Sequence, residues 1–326
     1  MNTPDPRSVP RPAPRRSPQL SRIARLLHLE QDQLQGLDDL PDADLRVLHD
    51  QISHTLFSPG QTQFAKVAAL SKTLPAPAAA KLAEKFLPPV LGARVAELLD
   101  PARARDLVGR LSIRYLADIA LALDPVKSRP VLEAIPPVKI REVAQALFAR
   151  DEHAAMAEFA SAVTYEGLWE ALGDARPRDL LLLAPLLEWN ERLERVVAEL
   201  PETKIREIAT ELSTADLATL ALDLEPARFA PVVPHLDVAV LRAIAAQLFA
   251  WDEHAAAAAF TAVVPAPVVL GVLDVATADD LRALAPHLQP SPALTEAAAA
   301  LPDDVRAVLA EVAATADLHP EVAALL

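Results

Sequence analysis

The sequence predicts an all-α fold, a right-handed α-solenoid or superhelix of short helices, and three observations carry that expectation. Prolines, 30 among 326 residues, recur at the heads of apolar stripes with helical spacing. The apolar/polar alternation of half-buried strands is missing. Finally, residues 111–189 match residues 212–290 without a gap at an offset of 101, the mark of a repeat architecture.

In chain order, residues 1–25 read as a basic, Pro-rich, disordered tail. Arg7, Arg11, Arg15, Arg16, Arg22 and Arg25 against the single Asp5 give this segment a balance of +5, leaving −19 of the net −14 on the rest. Its six prolines and lack of apolar periodicity favour an extended, solvated chain. The basic start leads into prolines rather than an apolar core, so no secretory signal is expected. The acidic body repels nucleic acid and anionic membrane, and neither is expected as a partner.

Residues 26–110 are expected to form N-terminal helical repeats, a truncated copy in which Leu40, Pro41, Leu45 and Arg46 resemble Ile135, Pro136, Ile140 and Arg141. Residues 111–211 form the first full copy, and residues 212–326 the second with a C-terminal cap. Leu111 and Ser112 fall on Leu212 and Ser213, Leu147 and Phe148 on Leu248 and Phe249, and Asp151, Glu152 and His153 on Asp252, Glu253 and His254. A smaller unit recurs inside the copies as IPPVKIREVAQAL from Ile135, LPETKIREIATEL from Leu200, LDVAVLRAIAAQL from Leu236 and LPDDVRAVLAEV from Leu301. In the second of these, Ile205, Ile208, Ala209 and Leu212 share one helix face. A first-turn proline costs no intrahelical hydrogen bond, and a nearby Asp or Thr can cap each helix. Pro185 and Pro286 lie inside apolar runs at matching positions and predict a duplicated break. Ala255 to Leu273, nineteen residues without a formal charge, has the length of a membrane span. Pro265, Pro267 and Gly271 interrupt it, and its duplicate carries Glu158, Glu166 and Glu170, so a buried helix pair is expected.

The absence of Cys removes thiol nucleophiles, disulfides, iron–sulfur clusters and thiolate zinc sites, and fits a reducing, cytoplasmic setting. With only 7 Gly, the phosphate-binding G-x-G-x-x-G and G-x-x-x-x-G-K-[ST] loops and the G-x-S-x-G nucleophile turn are absent. No catalytic residue and no cofactor is therefore assigned. The sharpest local feature is the duplicated triplet Asp151, Glu152, His153 and Asp252, Glu253, His254. Two carboxylates and an imidazole could hold a metal, but adjacent residues do not share a helix face. Each triplet precedes an Ala-rich run, so N-terminal capping by Asp, with Glu on the helix dipole, is the favoured reading. Arg46, Arg141, Arg206, Arg242 and Arg306 occupy equivalent places and could form a ladder that grips a partner's carboxylates or phosphates, or could make ordinary surface pairs. Phe148, Phe249, Phe159 and Phe260 read as core. Trp251 replaces Arg150 between matching residues and is expected on the surface as a contact anchor.

The runs LLDPARARDLVGRL from Leu98, LSIRYLADIALALDPVKSRPVLEAIPPVKIREVAQAL from Leu111 and LSTADLATLALDLEPARFAPVVPHL from Leu212 resemble the intracellular N-terminal domain of MgtE-type magnesium transporters, and cover about residues 74 to 312. That domain is a superhelix with recurring Leu-Asp-Pro and Leu-Pro-Pro turns, similar to helical modules of flagellar motor switch proteins of the FliG type. The chain ends without the regulatory and membrane domains of such transporters, so transport is not expected. The family's magnesium sites use clustered carboxylates, whereas the turns here read DPAR, DPVK and EPAR, and no metal ligands are carried over. Arginine outnumbers lysine 24 to 7, which with the abundant Ala points to a GC-rich bacterial genome.

The leading expectation is a non-enzymatic cytoplasmic helical-repeat protein that binds a protein partner along its concave face. The alternatives are a metal- or small-molecule-binding regulator, using an apolar groove between the copies or the triplets, and an enzyme on a helical scaffold.

Overall fold

The computed structural model describes residues 10, 17–27, 29–188, 190–230, 232–314 and 318–325, and among them every regular element is a helix. Two compact units result, one ending at Val196 and the other beginning at Val197. The break falls inside the helix Glu191–Ala198. Packing sets this division: Leu193 and Val196 still insert into the core of the first unit.

The recurring unit read in the sequence becomes a helix at each of its four positions: Pro137–Phe148, Glu202–Glu211, Val238–Ala250 and Asp303–Ala313. The caps differ from expectation. Proline stands at the N-cap of three of these helices and Asp237 at the fourth, and none makes a side-chain cap bond, so rigid proline entry geometry, not a capping carboxylate, starts the three. Side-chain caps serve other helices: Asp100 receives the Arg103 N–H, Thr164 the Gly167 N–H, and Ser213 and Thr277 make full capping boxes with Asp216 and Asp280. Pro185 and Pro286 break the chain as expected, since the helices Pro177–Leu183 and Ala278–Leu284 each run into a 3₁₀ turn, Ala184–Leu186 and Ala285–His287.

Within the first unit, from Gln61 on, helices pack mostly on the next but one. Gln61–Thr73 lies on Pro89–Ala96, which lies on Ile113–Ala122, which lies on Pro137–Phe148 and so to Tyr165–Gly173. A second row runs Ala76–Phe86, Pro101–Val108, Arg129–Leu132, with His153–Phe159 on Pro177–Leu183 beyond it. The second unit repeats the scheme with Thr214–Asp223, Val238–Ala250, Ala266–Val275 and Pro292–Ala299 in one row and His254–Thr261, Ala278–Leu284 and Asp303–Ala313 in the other. Helices this short are marginal alone, and burial between the rows holds them. Each buried Leu, such as Leu183, Leu193, Leu273, Leu284 or Leu309, contributes roughly 1.5–3 kcal/mol.

The uncharged stretch from Ala255 to Leu273 spans the helix His254–Thr261 and most of Ala266–Val275 and packs into the core of the second unit, as expected. Among the described residues no helix is long and apolar enough to cross a membrane.

The expected disordered tail requires a correction. Residues 1–9 and 11–16 lie outside the described residues, but residues 18–25 belong to the helix Pro18–Leu27. Leu20, Ile23 and Ala24 are buried, and Leu20 and Ile23 share a small core with Leu45 of the helix Asp42–Phe57. The i, i+3, i+4 apolar spacing within PQLSRIARLL, set among prolines and arginines, supplies that face.

Candidate functional site

The two Asp-Glu-His triplets form the same local device. The helix Pro137–Phe148 ends with Asp151 N–H donating to the Phe148 carbonyl at 3.0 Å and Glu152 N–H to the Leu147 carbonyl at 3.0 Å. The helix Val238–Ala250 ends likewise, Asp252 N–H on Phe249 at 3.0 Å and Glu253 N–H on Leu248 at 2.9 Å. This is a Schellman closure, and it puts Asp151 at φ 57° and Asp252 at φ 60°, the left-handed region. Asp tolerates that region better than most side chains. The expected role is corrected accordingly: the aspartates close the preceding helix, while Glu152 and Glu253 stand at the next N-caps without a side-chain cap bond.

The histidines turn inward. His153 is buried, its ring 5.8 Å from Phe148, and His254 stacks on Phe249 at 5.7 Å. His153 Nδ1 lies 3.2 Å from the Asp151 carbonyl oxygen, and Nε2 lies 3.2 Å from Asp179 Oδ1. His254 Nε2 lies 3.1 Å from Asp280 Oδ1. Burial works to raise the Asp179 carboxyl, but Arg176, donating from Nε at 2.7 Å and Nη2 at 3.0 Å, together with His153 outweighs it and holds the carboxyl below its usual range. At Asp280 burial again opposes, and Thr277 with His254 brings the carboxyl down. Asp179 and Asp280 were matched in the duplicated register, yet nothing in their spacing says that a histidine 26 residues upstream reaches them. Among the described residues no three of His, Cys, Asp or Glu converge as a metal site would require.

Glu152 is instead the partner of Arg25, and Glu158 on the same helix receives Arg22 Nε at 3.0 Å. Burial pushes the Glu158 carboxyl up to about 7 in spite of Arg22, Arg25 and Arg46, and among the described residues its Oε1 has no hydrogen-bond partner. The helix Pro18–Leu27 is thus seated by two ion pairs on the helix His153–Phe159.

The recurrent arginines bind their own chain. Arg46 reaches Glu188 at 2.6 Å, Arg141 reaches Glu170 at 2.9 Å and Asp174 at 3.6 Å, and Arg206 reaches Glu202 at 2.5 Å. Arg242 pairs with Asp274, and its stem crosses Gly271 so closely that a Cβ there would stand 3.1 Å from Cγ. Arg306 donates to the carbonyls of Ala298 at 3.1 Å and Leu301 at 3.5 Å. These are the surface and inter-helix pairs of the structural reading. Trp251 is a further correction: it is half-buried against the core of the second unit, whereas Arg150 at the matching place is exposed and pairs with Asp118 at 2.6 Å.

Two features outside the motifs stand out. An apolar cavity of about 180 Å³ lies inside the first unit, walled by residues from 83 to 187, among them Leu87, Val95, Leu116, Ile140, Leu147 and Leu172. Its polar wall groups are the Tyr115 phenol and Lys139. The Tyr115 hydroxyl donates to the Leu87 carbonyl at 2.8 Å, and burial pushes the phenol up to about 12. Lys139 Nζ pairs with Glu142 at 2.6 Å.

The other feature is a run of exposed apolar side chains. Eleven of the fourteen large hydrophobic residues exposed among the described residues fall between Leu27 and Leu98, which singles out that stretch. Val67, Leu70 and Leu74 follow helical spacing, as do Leu82 and Phe86, the last 67% exposed. Comparison with protein-family models, curated proteins and solved structures found no match.

Proposed function

We propose that the protein is a non-enzymatic cytoplasmic α-solenoid that serves as an interaction or regulatory module and holds a protein partner. The packing of alternate helices in each unit supports the solenoid reading. The matched Schellman closures and His–Asp contacts, all 101 residues apart, support the internal duplication.

The observation that carries the functional reading is the concentration of exposed apolar side chains between Leu27 and Leu98, since a repeat array without a partner there would present a polar outer surface. The contact surface therefore runs over the helices Gln61–Thr73 and Ala76–Phe86, and the paired arginines are not its anchors. Capture from host lysate with the full chain beside L70E/F86E tests this. A stoichiometric protein held by the natural chain and lost by the folded variant supports the proposal; equal retention by both, or no specific retention, refutes it. A second reading, a small-molecule-binding regulator, is favoured by the cavity inside the first unit.

A further inference from the structure

We infer that this cavity is a site for a short unbranched fatty acid, with the hydrocarbon chain among the apolar side chains and the carboxylate at Lys139. The inference deepens the ligand-binding reading and is independent of the protein-partner reading. Three observations carry it. The wall offers a ligand no free side-chain donor in its interior, because the Tyr115 hydroxyl proton is already committed to the Leu87 carbonyl. A polar body buried there would lose its bonds to water without replacement, which leaves hydrocarbon.

Size comes second. Apolar cavities of about 150 Å³ stay dry and admit benzene-sized molecules. At about 180 Å³ and open to solvent on one side, this one suits a short chain. Charge comes third: Lys139 is the wall's one ionic residue, and its side chain is 27% exposed, which leaves its ammonium within reach of water. An anionic end group is complementary to it, whereas a cationic one is repelled. Glu142, at 2.6 Å from the ammonium, already occupies part of that position and competes with any incoming carboxylate.

The full chain is titrated by calorimetry with octanoate, with octanol as the uncharged chain of equal length, and with benzene. Octanoate is expected to bind once per chain and roughly tenfold more tightly than octanol, the difference a charge-assisted hydrogen bond supplies. Lys139→Met is expected to erase that difference while sparing octanol, and Glu142→Gln to strengthen octanoate alone. Ala144→Leu and Ala171→Leu, at two places in the wall, fill the space and are expected to weaken both chains.

Equal binding of octanoate and octanol with no effect of Lys139→Met overturns the fatty-acid assignment but leaves a ligand site. Failure of octanoate, octanol and benzene alike overturns both. Undiminished binding in a filled variant that keeps its melting transition puts the ligand elsewhere and also overturns the inference. Should neither filled variant fold, the opposite responses of Lys139→Met and Glu142→Gln decide the question.

Discussion

Replacing Glu158 by Gln is expected to stabilise the protein in alkaline solution and to do nothing in mildly acidic solution. The carboxyl sits beneath the helix Pro18–Leu27 with Oε2 on Arg22 and Oε1 without a partner among the described residues, and burial moves it from an ordinary 4.5 up to about 7. A raised folded value means that the folded protein holds this proton more tightly than the unfolded chain. The stability it gives is complete below about 4.5 and is lost as pH rises through about 7. At about 1.4 kcal/mol per tenfold difference in proton affinity, the span from 4.5 to about 7 is worth about 3 kcal/mol. Gln has the shape of the protonated acid and no proton to lose. Urea unfolding of both chains at a series of pH values isolates the effect, because every other titrating group cancels in the difference. The difference should be near zero at about pH 4 and favour the variant by about 3 kcal/mol at about pH 8. A variant that is less stable by the same amount at both ends would refute the reasoning, and would mean that attraction to Arg22 outweighs the loss of solvation.

Further outcomes follow from the same geometry. Asp151→Gly or Asp252→Gly removes a Cβ from a left-handed backbone and should stabilise by about 0.5–1 kcal/mol in urea unfolding, whereas Asp151→Val should cost about 1–2 kcal/mol. His153→Ala should cost about 2–4 kcal/mol, because it opens a cavity beside Phe148 and strips a partner from buried Asp179, and bound zinc measured by mass spectrometry should not change. Leu45→Ala, at a fully buried position under the helix Pro18–Leu27, should cost about 2–5 kcal/mol and render Arg22 and Arg25 accessible to trypsin. Arg46→Ala should stay within about 0.5 kcal/mol, since that ion pair is exposed at both ends.

The helices were legible because their signal is local. Proline at a first turn, an apolar stripe of fixed period and a Pro185 or Pro286 break each act within one turn of chain, and each appears where the sequence places it. The Asp-Glu-His triplets were legible as a feature but not as a mechanism. Capping and helix closure use the same short polar residue on opposite sides of one loop, and only the backbone angle of Asp151 separates them. Trp251 misled because a position that differs between two matching stretches of sequence need not be exposed: Arg150 reaches out to Asp118 while Trp251 folds back on the core. The helix Pro18–Leu27 was masked by its prolines and arginines, whose average hides three buried apolar residues. The cavity could not be foreseen at all, because a stripe of Leu, Ile and Val reads the same whether the opposing row fills the space or leaves it open.

The seating of the helix Pro18–Leu27 also bears on how the chain comes together in time. Interactions such as Arg141 with Glu170, Tyr115 with the Leu87 carbonyl or His153 with Asp179 join residues 29, 28 and 26 positions apart, so successive helix pairs can zip up as they leave the ribosome. Arg25 with Glu152 and Arg46 with Glu188 instead span 127 and 142 residues. The helix Pro18–Leu27 must wait for its acceptor to be synthesised, and its arrival ties helices far apart in the chain into one cooperative transition.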